Sequence, residues 1–260
     1  MLMEDLQHNN TMEKKQFVLV TGATSGIGKE IAIQLSNNYN VVLHGRNLEK
    51  LDNVGDLCNP DNITLKWLNN LEDIDGVENS LVSFITRNSV EIFKFVHCAG
   101  VMKMAPLKMS TLGVLQQTFN VNVFAPNLIC KVLTNKKANN SALNSTVFIS
   151  SNISNHGAKA MSAYGSSKSA LDGLMRSLAI ELAPKVRVNS VLPGAVETEM
   201  TKDILANIEV RDRMLSVYPL GIGTPNDIYQ VVSFLLSENA RWITGQQFTV
   251  DGGRTINISG

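Results

Sequence analysis

Residues 17–28 read FVLVTGATSGIG, a short apolar run followed directly by a turn with three glycines, and an amphipathic stretch follows from Lys29 to Ser36. A glycine-rich turn that joins a buried strand to a helix restricts the chain more than any other feature of it. Gly22 permits the tight turn, Gly26 lets the backbone approach a ligand closely, and Gly28 lets the helix pack against the strand. The helix N-terminus that follows offers free N–H groups and a partial positive charge, which suit phosphate groups. Turns use glycine for other reasons too, so the dinucleotide-binding reading depends on the strand before it and the helix after it. Thr24, Ser25 and Ile27 fill the same turn and are grouped with Gly22, Gly26 and Gly28 as cofactor-binding residues.

The alternation continues nearly to the end of the chain. Short apolar runs at Val41–His44, Ile63–Leu68, Ile92–Val96, Thr146–Ile149, Val186–Val191 and Gln247–Val250 read as further strands. Helical patterns lie at about Thr111–Lys136, at Ser162–Ala183 and at Asn226–Leu236. Continuous apolar strands separated by helices indicate a parallel sheet covered on both faces. The fold expected is therefore α/β: a doubly wound parallel sheet of the Rossmann type, with about seven strands. Residues 16–260 read as one domain, and the polar segment 1–15 as a flexible extension without the apolar core of a signal peptide. The stretch between Pro193 and Pro225 reads as irregular, and long loops near strand ends commonly carry function.

Lys+Arg and Asp+Glu both number 23, so the formal net charge is +0. That balance gives no electrostatic footprint for nucleic acid or an anionic membrane. No apolar run approaches the ~18 residues of a membrane span. Cys58, Cys98 and Cys130 form no CxxC pair, so no metal site is expected, and their sparse use suits the cytoplasm.

Two further motifs carry chemistry. In YGSSK, Tyr164 and Lys168 stand at i and i+4, on one face of a helix, so phenol and ammonium can address one ligand. A nearby positive charge stabilises phenolate and is expected to lower the Tyr164 pKa from ~10 towards neutrality, as a general acid or base requires. A solvated Tyr/Lys pair on a helix surface would show the same spacing. Ser150 and Ser151 close the fifth strand, where parallel sheets bind ligands, and a hydroxyl there can polarise a substrate oxygen. A serine capping a turn is the alternative for either residue.

Together with His97–Gly100 (HCAG), Asn122 and Pro193–Thr198 (PGAVET), these motifs resemble the short-chain dehydrogenase/reductase superfamily, over residues 17 to about 253. The segment Pro219–Gly253 looks most like bacterial 3-oxoacyl-carrier-protein reductases. The resemblance implies an NAD(P)(H)-dependent enzyme in which Tyr164 is the acid/base. Lys168 would lower its pKa and hold the nicotinamide ribose, Ser151 would orient the carbonyl, and Asn122 would hold a water in a proton relay. Val196 and Thr198 would contact the nicotinamide amide beside Pro193 and Gly194, and Asn70, Ala99 and Gly100 would line the adenosine side. Where the family often has two asparagines, His97 and Cys98 stand, so loss of a hydrogen bond between neighbouring strands is expected. The resemblance further implies a homo-oligomer, a tetramer or a dimer.

An acid at the end of the second strand would hold the ribose 2′-hydroxyl and repel a 2′-phosphate. Here Gly45 occupies that place and Arg46 follows, a guanidinium suited to phosphate. NADPH/NADP+ is therefore expected over NADH, although Ser25 stands where relatives carry a second basic residue. The substrate expected is a small carbonyl or alcohol: a ketone or a 3-oxoacyl group to be reduced, an acyl thioester among the candidates. A secondary-alcohol dehydrogenase acting on a steroid, polyol or sugar is the alternative, and a non-catalytic cofactor sensor is a third. Met102–Met109 and the Val196–Pro219 loop are the expected walls of the substrate pocket.

Overall fold

A computed structural model describes residues 16–202 and 206–257. The extension expected at 1–15 lies outside them. Seven strands are present: β1 Phe17–Thr21, β2 Asn40–Gly45, β3 Thr64–Leu68, β4 Ile92–His97, β5 Ser145–Ile149, β6 Arg187–Pro193 and β7 Gln247–Val250. They form one parallel sheet in the order β3-β2-β1-β4-β5-β6-β7. The chain winds outward in both directions from the β1/β4 junction, which opens a crevice at the carboxyl ends of those strands.

Alternate residues of each strand face opposite layers. Leu19, Phe95 and Phe148 point into one core, against α3 (Val77–Asn88), α5 (Ala125–Thr134) and α7 (Ser162–Glu181). Val18, Val20, Val96 and Val147 point into the other, against α1 (Gly26–Leu35), α2 (Leu48–Gly55) and α9 (Pro225–Leu236). Burial on both faces explains why the strand sequences are continuously apolar rather than alternating.

The helices depart from expectation in three places. First, α2 and α3 were not evident as amphipathic stretches; only Leu51 and Val54 of α2 are buried. Second, the segment 111–136 is not one helix. It consists of α4 (Leu112–Phe119), a π-helical turn at Asn120–Phe124, α5, and the start of a short α6 (Lys136–Asn139). Single π turns often mark functional sites, and this one carries Asn122. Third, the stretch between Pro193 and Pro225 is not irregular throughout, because it contains α8 (Ile208–Val217). No residue of α8 is buried, so it has no apolar stripe to betray it.

Candidate active site

The glycine turn is shaped by contacts that no side chain could share. Gly22 has φ +66°, and a Cβ on it would lie 2.8 Å from the backbone of Ala99. A Cβ on Gly28 would lie 2.3 Å from the Gly22 carbonyl oxygen. The turn is tied to β2 by Ala23 N–H, which donates to the His44 carbonyl at 3.0 Å. Ser25 precedes α1 without capping it through its side chain, so the first N–H groups of the helix remain available to an anion.

With His97 and Cys98 in place of the family's asparagines, β1 and β4 are still tied, through Thr21. The Thr21 hydroxyl lies 2.9 Å from His97 Nδ1 and accepts from Cys98 N–H at 3.2 Å and Ala99 N–H at 3.3 Å. His97 is fully buried and is held neutral, since burial drives its pKa well below the ordinary value. Burial likewise pushes the Cys98 thiol far up, so neither residue offers acid–base chemistry near neutrality.

One cavity of about 420 Å³ runs from the glycine turn to the end of β6. Gly22, Thr24, Ser25, Gly26, Ile27 and Gly28 line one end of it, with Arg46 and Asn70. Ala99 and Gly100 line its middle, and Ser151, Tyr164 and Lys168 its far wall, with Pro193, Gly194, Val196 and Thr198 beside them. Asn122 is the one site residue that does not border the cavity. It is completely buried, accepts from Val101 N–H at 2.8 Å, and donates to the Val101 carbonyl at 3.1 Å and to Ser167 Oγ at 2.9 Å. Its side chain thus fastens the loop after β4 to α7.

Tyr164 and Lys168 are both buried, with Lys168 Nζ 5.7 Å from the centre of the Tyr164 ring. The expected fall in the phenol's pKa is not what the protein alone produces. Burial raises it, and only a hydrogen bond from Ser151 opposes that rise. Lys168 is itself lowered to about 8 by burial, against the charge of Asp172. Its ammonium donates to the Ile149 carbonyl at 2.8 Å. Desolvation is therefore the dominant influence on both groups in the protein alone.

Several residues of the site escaped the sequence reading. His44 sits behind the glycine turn, where its Nδ1 accepts from Gly22 N–H at 3.4 Å and its Nε2 contacts the Asn69 carbonyl at 3.2 Å. Thr201 closes the loop after β6: its hydroxyl donates to the Val196 carbonyl at 2.6 Å and accepts from Thr198 N–H at 3.0 Å. Glu72 pairs with Arg46 at 2.9 Å. Asp172 continues the Tyr164/Lys168 face by one turn, a spacing that an i+8 reading could have caught. Met102, Ile153, Met161, Met200, Met214 and Tyr218 complete the wall beneath β5 and β6.

A strand–glycine turn–helix at a topological switch point, facing a buried tyrosine, lysine and serine, is the arrangement of a nicotinamide-dependent oxidoreductase. Residues 22–255 match the family described as enoyl-(acyl carrier protein) reductase. The chain is 32% identical to L-xylulose reductase of Caenorhabditis elegans, over 92% of this chain and 96% of that protein. It is 33% identical to the 3-oxoacyl-[acyl-carrier-protein] reductase FabG of Rickettsia bellii, over 92% of this chain and 96% of the relative. A solved short-chain type dehydrogenase/reductase from Mycobacterium ulcerans superposes with a TM-score of 0.85 at 29% identity, covering 93% of this chain and 90% of that one. The chain belongs to the short-chain dehydrogenase/reductase superfamily and is an NAD(P)-dependent oxidoreductase.

Proposed function

We propose that this protein reduces an uncharged, largely apolar ketone to a secondary alcohol with NADPH. The observation that carries this reading is the make-up of the single cavity that Tyr164, Ser151 and Lys168 border. Its charged lining residues are Arg46, Glu72, Lys168 and Glu199. Arg46 and Glu72 flank the adenosine end, and Glu199 approaches the glycine turn, 3.6 Å from where a Cβ on Gly26 would lie. The wall beneath β5 and β6 carries four methionines, Ile153 and Tyr218, with Asn152 as a polar contribution. A carboxylate or phosphate on the substrate finds no cation there apart from Lys168, and a polyol finds few partners for its hydroxyls.

The residues fit the cofactor. The open N–H groups of α1 and the glycine turn would take the pyrophosphate, and Arg46 the 2′-phosphate. Asn70, Ala99 and Gly100 would line the adenosine side, Lys168 would hold the ribose hydroxyls, and Val196 and Thr198 would contact the nicotinamide amide beside a wall shaped by Pro193 and Gly194. When bound, the reduced cofactor supplies the hydride. Tyr164 transfers its phenolic proton to the substrate oxygen, and Ser151 donates a hydrogen bond to that oxygen so that charge does not accumulate there. Lys168, charged below about pH 8, stabilises the phenolate left behind. Asn122 supports this arrangement from behind by fixing the loop that carries Gly100 and Val101.

Residues 16–260 are read as one domain, and the three free cysteines suit the cytoplasm. Exposed Leu112, Phe124 and Ile180 leave apolar surface on α4, α7 and the π turn for a second copy of the chain, in keeping with a homo-oligomer. Among the described residues no helix is long and apolar enough to cross a membrane.

The test is NADPH oxidation against a panel of alicyclic and aryl ketones, aldose and ketose sugars, and a 3-oxoacyl thioester. Turnover of the apolar ketones supports the reading. Turnover confined to sugars or to the thioester would overturn the substrate class, and NADH used as well as NADPH would overturn the cofactor.

A further inference from the structure

Asp172 lies one helical turn past Lys168 and two past Tyr164 on the inner face of α7, and is 1% exposed. A carboxylate so far from water is costly to keep unless its surroundings need it. Its Oδ2 accepts from Ser150 Oγ at 2.9 Å, while Oδ1 is buried with no hydrogen-bond partner. Ser150 ties the end of β5 to both β6 and α7. Its N–H donates to the Val191 carbonyl at 2.8 Å, and its hydroxyl reaches both Asp172 and, at 3.4 Å, the Lys168 carbonyl. On one side of it, the Ile149 carbonyl receives Lys168 Nζ at 2.8 Å. On the other, Ser151 faces the Tyr164 phenol.

The geometry assigns Asp172 as a positioning residue for the reductase site: it clamps Ser150, and through it both the carbonyl that seats Lys168 and the hydroxyl that faces Tyr164. Buried one turn from Lys168 on the same helix, its carboxylate also favours the ammonium. The inference rests on the reading of the site given above. Of the groups that favour the ammonium, Asp172 acts most strongly, ahead of Cys98. At the end of β4 His97 is held neutral, and just past it the Cys98 thiol is held protonated. On α7 itself, Tyr164 is raised by burial. Glu72 and Glu199 line the same cavity but are not among the groups that act on Lys168. Burial lowers the Lys168 pKa to about 8, and the Asp172 carboxylate opposes that fall from within the same helix.

Two substitutions separate clamp from charge. Asp172→Asn keeps a carbonyl oxygen for Ser150 and removes the charge; Ser150→Ala keeps the charge and removes the clamp. NADPH affinity, followed by fluorescence as pH rises, reports the pH at which Lys168 ceases to hold the ribose, independently of turnover. We expect that midpoint to move down by about 0.5–1 pH unit in Asp172→Asn and to stay in place in Ser150→Ala. Ketone reduction at about pH 7 is expected to fall roughly 10-fold in kcat/KM for Ser150→Ala, as for a displaced catalytic group. Thermal unfolding identifies either variant that fails to fold, and the other then decides the matter. An unmoved midpoint in folded Asp172→Asn, or a wild-type kcat/KM in folded Ser150→Ala, overturns the assignment. Wild-type protein that binds NADPH with this pH dependence yet reduces no ketone overturns the proposed function and leaves the role of Asp172 towards Lys168 standing.

Discussion

Arg46 Nη1 donates to Glu72 Oε1 at 2.9 Å at the adenosine end of the cavity, with 72% of the arginine side chain still open to solvent. The carboxylate orients the guanidinium and at the same time offsets its charge. A 2′-phosphate would take the donors that Glu72 leaves free, against the repulsion of that carboxylate. Arg46→Ala is expected to raise KM for NADPH by roughly 10–100-fold, the usual scale of a charge-assisted hydrogen bond, with KM for NADH nearly unchanged. Glu72→Gln should act the other way, lowering KM for NADPH by about 2–5-fold, because exposed ion pairs are weak. Steady-state kinetics with both cofactors decides; equal effects on NADH and NADPH would remove Arg46 from 2′-phosphate recognition.

The neighbouring position resists the obvious route to NADH. A Cβ on Gly45 would lie 2.6 Å from Thr24 Cγ2 and 3.2 Å from Leu51 Cδ2. An acid introduced there must first displace the threonine methyl of the phosphate turn. Gly45→Asp alone is expected to lose stability by roughly 1–3 kcal/mol and to weaken both cofactors. The pair Thr24→Ser/Gly45→Asp, which removes that methyl, should recover the lost stability and prefer NADH. Thermal unfolding with and without each cofactor measures this, and a single Gly45→Asp variant as stable as the parent would refute the steric argument.

Tyr164→Phe removes the ionisable oxygen from a buried ring over which Lys168 Nζ stands, 5.7 Å from its centre. NADPH binding should survive while kcat for ketone reduction falls by at least ~10²-fold, the scale of acid–base catalysis. Ser151→Ala, which also deletes the hydrogen bond that holds the phenol's pKa down, is expected to lower kcat by a similar factor. A Tyr164→Phe variant with more than about a tenth of wild-type kcat would mean that another group supplies the proton.

Why much of this was legible in the sequence, and some was not, follows from how each element is stabilised. The strands stand within a residue or two of their apolar runs because both faces of the sheet are covered; Gln247–Val250 is the same in both readings. The helix that carries Tyr164 and Lys168 announces itself by their i, i+4 spacing, but its third inward residue, Asp172, hides because a lone aspartate on a helix usually faces water. α8 buries nothing and so shows no period. The π turn at Asn120–Phe124 leaves composition unchanged, so 111–136 reads as one helix although the turn sets Asn122 inward. The tie between β1 and β4 was not legible because it depends on Thr21, whose hydroxyl reaches His97 and two backbone N–H groups.

His44 makes the fold sensitive to acid. It is buried against Trp67, with ring centres 4.7 Å apart, and accepts the Gly22 N–H through Nδ1, so Nε2 carries the proton directed at the Asn69 carbonyl. A second proton would sit on Nδ1 and oppose the Gly22 N–H. Burial accordingly lowers its pKa from 6.5 to about 4. Between these values the unfolded chain binds a proton that the folded chain refuses, so stability is full above about 6.5 and declines as pH falls towards 4. From about pH 7 to about pH 5 the loss from this residue should be ~2 kcal/mol, and His97, lowered in the same direction, adds to it. Because Gly22 hangs on the same ring, NADPH affinity should weaken over that range as well. Chemical denaturation of the wild type and of His44→Gln at both pH values measures the effect. The variant, although less stable near neutrality, should lose markedly less on acidification, and equal losses in the two proteins would clear His44 of the role.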